Sequence, residues 1–295
     1  MNLSGLNMRG LLLADEPMSR HTSLRVGGPA DLFAIPEDAD DLQGLLRQLK
    51  ERGIPWLAIG RGNNLLVRDS GIRGAVISLE RFNRVEALGQ GRIRAGAGAE
   101  NLAVVRFAQE QGLGGIGFIS GIPGTVGGAI RMNAGAYGTG IMERTESLTL
   151  LHDGNVREFG RDELEYGYRH LDLAAGDIIL EALFRLDQRE AEQTEEEIRK
   201  DLELRRAKHS VGFPSAGSFF KNPAGQTAWR LIDATGMRGE RVGGAQVSQV
   251  HSNFLVNTGG ATAGDFLELS RVVKKAVLAS CGVTLEEEVR IVGEE

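Results

Sequence analysis

The sequence predicts an α+β protein of two or three domains. Three observations carry that reading. A strand–helix–strand unit spans Asp31 to Ile59. An Asp-Gly turn signal, His152-Asp153-Gly154-Asn155, sits between two short apolar runs. A long amphipathic helix beginning at Asp265 is followed by an alternating stretch, Leu285 to Val292. The length of 295 residues suits two or three domains. Hydrophobic and charged contents of 41% and 25% are those of an ordinary globular protein.

Residues before about Ser19 read as a loose lead-in, and His21 to Ala30 as a turn into a strand, Asp31 to Ile35. Pro36-Glu37-Asp38 opens a helix, with acidic residues where the helix dipole favours them. Leu42, Leu45, Leu46 and Leu49 form its apolar face, Gly53 closes it, and Trp56 to Ile59 is the next strand. Further strands are expected at Ala75 to Leu79 and Arg92 to Ala97. A helix from Asn101 to about Gln111 should bury Leu102, Val105, Phe107 and Ala108. Leu148 to Leu151 and Val156 to Phe159 form a hairpin around the Asp-Gly signal.

Ile178 to Leu186 reads as a strand, and Gln188 to Glu192 as a polar break and candidate boundary. Thr194-Glu195-Glu196-Glu197 has the capping-box pattern and should start a helix running to about Lys208. Glu195/Arg199, Glu196/Lys200 and Asp201/Arg205 are spaced i,i+4 along it. Its basic end, Arg205, Arg206 and Lys208, suits either the helix dipole or an anion. Thr227 to Thr235 is a short helix and Phe254 to Asn257 a strand. The helix from Asp265 to Ala279 should bury Phe266, Leu269, Val273, Ala276 and Val277. In the last stretch, period two puts Glu286, Glu288 and Arg290 on one face and Val289 and Ile291 on the other.

Composition removes several functions. A net charge of −6 argues against nucleic acid as a partner. No apolar run approaches the roughly 20 residues of a membrane span. The single cysteine, Cys281, fits a reducing compartment, so a cytoplasmic protein is expected. The five histidines are scattered with no His-x-x-x-His, so no metal site of the common zinc kinds is expected. There is no Gly-Lys dipeptide for a P-loop and no Gly-x-Ser-x-Gly elbow.

The stretch from Gly112 to Gly140 holds eleven of the 41 glycines and no acidic residue. Ile116, Phe118, Ile119, Ile122, Val126, Ile130 and Met132 are threaded between them, which suits a fixed path rather than a polar linker. Successive exposed N–H groups on such a path would make a concave anion site. Gly60-Arg61-Gly62-Asn63-Asn64-Leu65 follows a strand and invites a nucleotide reading, but Leu65 replaces the third glycine of the Rossmann pattern. By itself this loop reads equally as a plain turn.

Taken together, these loops resemble the UDP-N-acetylenolpyruvoylglucosamine reductase family. The other segments that carry the resemblance are Ser120 to Gly128, Asn133-Ala134-Gly135-Ala136-Tyr137-Gly138, Gly167-Tyr168-Arg169, Gly217-Ser218-Phe219-Phe220-Lys221-Asn222-Pro223 and Glu288-Val289-Arg290. The resemblance runs from about Thr22 to Val292. It implies a two-part FAD-binding domain of the vanillyl-alcohol-oxidase/p-cresol-methylhydroxylase type, 1–80 and 81–190, and a C-terminal α+β substrate-binding domain, 191–295.

The resemblance also implies the chemistry. NADPH is the electron donor, and hydride passes from flavin N5 to the enolpyruvyl methylene carbon of UDP-N-acetylglucosamine enolpyruvate. Gly60, Arg61, Gly62, Asn63, Asn64 and Leu65 are placed against the FAD pyrophosphate, as are Gly121, Ile122, Pro123, Gly124, Thr125, Gly127 and Gly128. Asn63 stands where relatives with covalent flavin often have histidine, so FAD is expected to be non-covalent. Ser218 matches the proton donor, Arg169 the arginine that clamps the carboxylate, and Glu288 the glutamate that stabilises the enol intermediate. A planar guanidinium fork suits a carboxylate, and Glu288 should hold or share a proton beside a developing anion. Tyr168, Lys208 and Asn222 match substrate-contacting positions, and Arg205 is placed near the flavin.

Without the family, Ser218 reads as a turn residue, Glu288 as a solvated strand residue and Arg169 as a surface arginine. Their joint spacing carries the assignment. The chain passes from Leu186 almost directly to Thr194, so it resembles the short form that lacks an inserted tyrosine loop. A monomer is expected. The competing readings are another FAD oxidoreductase of the same superfamily and a catalytically silent flavin or nucleotide binder.

Overall fold

The computed structural model describes residues 5–136, 138–209 and 211–295, with the side chains of 191, 197 and 204–209 outside the description. The chain divides into two units and passes between them after residues 13, 32, 61, 74 and 205. The first unit holds the residues up to Leu13, Phe33–Arg61 and Ala75–Arg205; the second holds Ala14–Leu32, Gly62–Gly74 and Arg206–Glu295. A four-stranded sheet is ordered Leu11–Pro17, Pro29–Ile35, Ile72–Ser78, Trp56–Ile59.

In the first unit, helix α1 spans Ala39–Glu51. Asp38 caps it, its carboxylate accepting from the Asp41 N–H at 3.0 Å. It ends where Gly53, at φ 62°, lets Gly53 N–H reach Lys50 O and Ile54 N–H reach Leu49 O. That is a Schellman motif, and glycine takes its left-handed position without strain. Leu42, Leu45 and Leu49 are fully buried beneath it. Trp56–Ile59 pairs parallel with Ala75–Ser78. A five-stranded antiparallel sheet is ordered 155–160, 145–152, 178–185, 92–96, 85–89. Asp153 and Gly154 both take positive φ, 47° and 75°, as the tight turn joining its first two strands requires. Helix α2 spans Asn101–Glu110 and helix α3 Val126–Arg131, which packs on the Ile178–Arg185 strand. Helix α4 spans Ala191–His209.

The second unit has an antiparallel sheet ordered Ser215–Ser218, Phe254–Asn257, Ala245–Val247, Arg241–Val242. Arg290–Val292 pairs parallel with Leu65–Val67. Helices α5, Ala228–Ala234, and α6, Ala263–Cys281, complete it. Thr262 and Asp265 form a capping box at the start of α6. Phe219, Phe220, Phe266, Leu269 and Val273 lie in one fully buried cluster.

Several expectations are corrected. The supposed lead-in contains the strand Leu11–Pro17, which lies beside the next strand of the chain, Pro29–Ile35, at the edge of the four-stranded sheet. Thr194 does not cap a helix. Helix α4 has already begun at Ala191, Thr194 is 3% exposed, and its hydroxyl donates back to Glu190 O at 3.4 Å. In α2 it is Val104 that is buried with Val105 and Ala108, while Leu102 and Phe107 are half-buried. Ala276 in α6 is likewise half-buried. The final strand is only Arg290–Val292; before it, the chain makes a single bridge, Phe220 to Glu287. Helix α3 and the strand Val85–Gly89 carry no clear periodic signal and were not anticipated.

Candidate functional site

In the first unit the Gly-rich path is held by main-chain bonds to the segment before it. Asn101 N–H donates to Gly124 O at 3.1 Å and the Asn101 side-chain amide to Ile122 O at 3.0 Å. Val126 N–H reaches Ala99 O and Gly127 N–H reaches Ala97 O, at 2.9 and 2.8 Å. A Cβ on Gly127 would stand 2.8 Å from Ala97 Cβ, and one on Gly60 would stand 2.5 Å from Thr125 Oγ1. The end of the 56–59 strand is thereby packed beside Thr125. Gly121, Ile122 and Gly124 are half-buried, and Pro123 and Gly128 are exposed. The Thr125 and Ser120 hydroxyl oxygens are buried with no hydrogen-bond partner among the described residues. Buried polar groups are nearly always paired, so two orphaned hydroxyls on a glycine path fit a polar ligand such as a cofactor phosphate. Arg61 pairs with Glu100, and both are largely exposed.

Tyr168 and Arg169 form the two-residue turn between Tyr166–Gly167 and His170–Leu171. Arg169 takes φ 56°, its guanidinium lies 5.0 Å from the Tyr168 ring, and it donates to Gly135 O at 3.3 Å. Asn133 ties this hairpin to the Gly-rich path: its amide donates to Gly167 O at 2.9 Å and its carbonyl accepts from Met142 N–H at 3.2 Å. The motif had included Asn133 without a role.

In the second unit, Gly62 carries the one positive φ of the 60–65 loop, 63°, and a Cβ there would stand 2.0 Å from His21 O. Neither Asn63 nor Asn64 takes a positive φ. Asn63 Oδ1 is buried with no partner among the described residues. The Asn64 side-chain amide donates to Glu288 O at 3.0 Å, and Arg290 N–H donates to Asn64 O at 3.0 Å. Leu65 pairs with Arg290 in register.

Ser218 ends the strand Ser215–Ser218 opposite Phe254, and Glu288 N–H donates to the carbonyl of the next residue, Phe219, at 2.8 Å. The structure therefore fastens the Ser218 strand, Glu288 and the 62–65 loop together. The three adjacent glutamates have separate surroundings. Glu286 faces Lys221 at 3.4 Å, and Glu287 meets Lys274 at 2.9 Å and the Ser270 hydroxyl at 2.9 Å. Burial works to raise the Glu287 carboxyl pKa, but Lys274 and Ser270 together hold it below the ordinary value. Asn222 is exposed, and its side-chain oxygen accepts from Ala228 N–H at 3.0 Å, which braces the start of α5. Arg205 and Lys208 lie on α4, but their side chains fall outside the described residues, as does Tyr137.

Comparison with known proteins agrees with this geometry. A family model described as an FAD binding domain matches residues 30–160, and one described as the UDP-N-acetylenolpyruvoylglucosamine reductase C-terminal domain matches 208–292. UDP-N-acetylenolpyruvoylglucosamine reductase of Geobacter metallireducens is 58% identical over 98% of this chain and 96% of its own length. The reductase of Geotalea uraniireducens is 56% identical over 97% and 95%. The crystal structure of the reductase from Thermus caldophilus superposes with a TM-score of 0.83 at 34% identity, covering 97% of this chain and 99% of that one.

The α+β architecture, the glycine path and the matched domain define an FAD-dependent oxidoreductase. More particularly, the chain belongs to the UDP-N-acetylenolpyruvoylglucosamine reductase family. Among the described residues no helix is long and apolar enough to cross a membrane.

Proposed function

We propose that Ser218, Arg169 and Glu288 carry the chemistry of this reductase. The chain reduces UDP-N-acetylglucosamine enolpyruvate to UDP-N-acetylmuramate for peptidoglycan synthesis, with NADPH as electron donor. Bound FAD supplies a two-electron relay between NADPH and the enolpyruvyl group. The residues assigned to its pyrophosphate, Gly60 to Leu65 and Gly121 to Gly128, would hold it non-covalently, and the orphaned hydroxyls of Ser120 and Thr125 would supply donors. Arg61 and Arg205 are assigned to the same cofactor.

The Arg169 fork holds the substrate carboxylate and orients the reacting carbons. The Ser218 hydroxyl donates a proton to the carbon beside the carboxylate. An alcohol is a weak acid in water, and it serves here because its acceptor is carbanion-like and within hydrogen-bond reach. Glu288, holding or sharing a proton, hydrogen-bonds to the charge that develops. Tyr168, Lys208 and Asn222 contact the sugar nucleotide. The division into 1–80, 81–190 and 191–295 assigns FAD to the first two parts and substrate to the third. The protein acts as a cytoplasmic monomer.

The observation that carries this reading is the fastening of the Ser218 strand, Glu288 and the 62–65 loop by main-chain bonds and the Asn64 side-chain amide. The test is anaerobic. Holoenzyme reduced by NADPH is mixed with UDP-N-acetylglucosamine enolpyruvate while flavin absorbance is followed. Rapid reoxidation in the parent, lost in Ser218→Ala with NADPH reduction intact, is expected. Flavin that stays reduced in the parent until oxygen enters would reject the activity.

A further inference from the structure

Asn253 has no part in the assignments above, yet the segment that carries Ser218 hangs on it. It is 3% exposed. Its backbone carbonyl accepts from Phe219 N–H at 2.7 Å. Its side-chain oxygen accepts from Phe220 N–H at 2.9 Å, and its side-chain nitrogen donates to Phe220 O at 2.8 Å. One primary amide thus satisfies both main-chain groups of Phe220, as a neighbouring strand would. Phe219 and Phe220 are fully buried, so water cannot substitute. On the opposite side of the same strip, Phe219 O accepts from Glu288 N–H at 2.8 Å and Phe220 bridges Glu287.

We propose that Asn253 is a positioning residue for substrate reduction, its amide setting where the Ser218 hydroxyl and the Glu288 carboxyl stand with respect to each other. This rests on Ser218 as proton donor. Asparagine is suited because it is both donor and acceptor on a short stem; aspartate would turn a carboxylate oxygen toward Phe220 O, and alanine would leave both groups unpaired. A displacement of about 1 Å at a reacting group can lower a rate about 10²-fold.

The experiment is a double-mutant cycle on holoenzymes: parent, Asn253→Ala, Ser218→Ala and the double variant, with the two half-reactions read separately by flavin absorbance without oxygen. Asn253→Ala should slow reoxidation by UDP-N-acetylglucosamine enolpyruvate about 30- to 100-fold and leave reduction by NADPH within about twofold. In the Ser218→Ala background it should change reoxidation by less than about threefold, because the residue acts through Ser218. Losses that multiply, or equal slowing of both half-reactions, would overturn the proposal. Parent-like reoxidation by Ser218→Ala would overturn it for a different reason, the failure of the proton-donor assignment itself. Where Asn253→Ala does not assemble with FAD, Asn253→Asp enters the same cycle, since it keeps the acceptor for Phe220 N–H and replaces the donor by a carboxylate oxygen facing Phe220 O; parent-like reoxidation by it would also overturn the proposal.

Discussion

The side-chain amide of Asn64 is hydrogen-bonded to the backbone carbonyl of Glu288 at 3.0 Å, across 224 residues of sequence. Arg290 N–H closes the other side of the same link on Asn64 O. A loop assigned to the cofactor and a glutamate assigned to the substrate therefore share one fastening. Asn64→Ala should weaken FAD binding and slow flavin reoxidation by substrate together, each by about tenfold, the worth of one hydrogen bond. Fluorescence titration of FAD and anaerobic stopped flow read the two. Loss of FAD affinity with unchanged reoxidation would show that the bond does not position Glu288.

Thr125 offers a test in which two effects have opposite signs. Its buried hydroxyl oxygen has no partner among the described residues. Thr125→Val removes that unpaired group at nearly constant volume, so the FAD-free protein should be unchanged or more stable by up to about 1 kcal/mol. FAD affinity should fall about tenfold or more, the value of a hydrogen bond to a charged group. Denaturation of apoprotein and FAD titration on the same variant decide it. Equal destabilisation of both forms would mean that the hydroxyl serves the fold.

Two glycines should respond in opposite directions. In α1, a Cβ on Gly44 would meet nothing within 4 Å, and the backbone is helical. Gly44→Ala should raise stability by about 0.5–1 kcal/mol, measured as a higher denaturation midpoint. At Gly60 the added Cβ would lie 2.5 Å from Thr125 Oγ1. Gly60→Ala should cost about 1–3 kcal/mol and lower FAD affinity, because the Thr125 side chain must turn away.

Glu287 is set apart from its neighbours by pH. Burial opposes its ionisation, yet Lys274 and Ser270 hold its carboxyl below the ordinary value of 4.5. A carboxyl whose pKa is depressed in the fold adds stability above its unfolded value, and that stability is lost as pH falls through the folded value. Glu287→Gln should therefore cost about 1–3 kcal/mol at pH 7, where a charge-assisted bond is lost. The gap between parent and variant should narrow below pH 4.5. Urea titrations at pH 7 and at lower pH measure it; a gap independent of pH would assign the cost to packing.

What the sequence by itself determined are the elements whose signals are local. Asp38 and Gly53 bound α1 because a cap and a left-handed exit act within one turn of the chain. Asp153-Gly154 makes its hairpin because both residues accept positive φ. The glycine path, Ser218, Arg169 and Glu288 were legible as one spaced set, and the family followed from that set. Tertiary structure alone decided what holds the set in place. Asn101, Asn133 and Asn253 each spend a side-chain amide on main-chain groups 21, 34 and 33 residues away, so no local pattern marks them. The strand Leu11–Pro17 exists because a sheet partner satisfies its backbone, and Thr194 lies inside a helix because the chain ahead of it is already helical. Caps and turns are short-range and can be read along the chain, whereas the pairing of buried polar groups is set by the partners that folding brings to them.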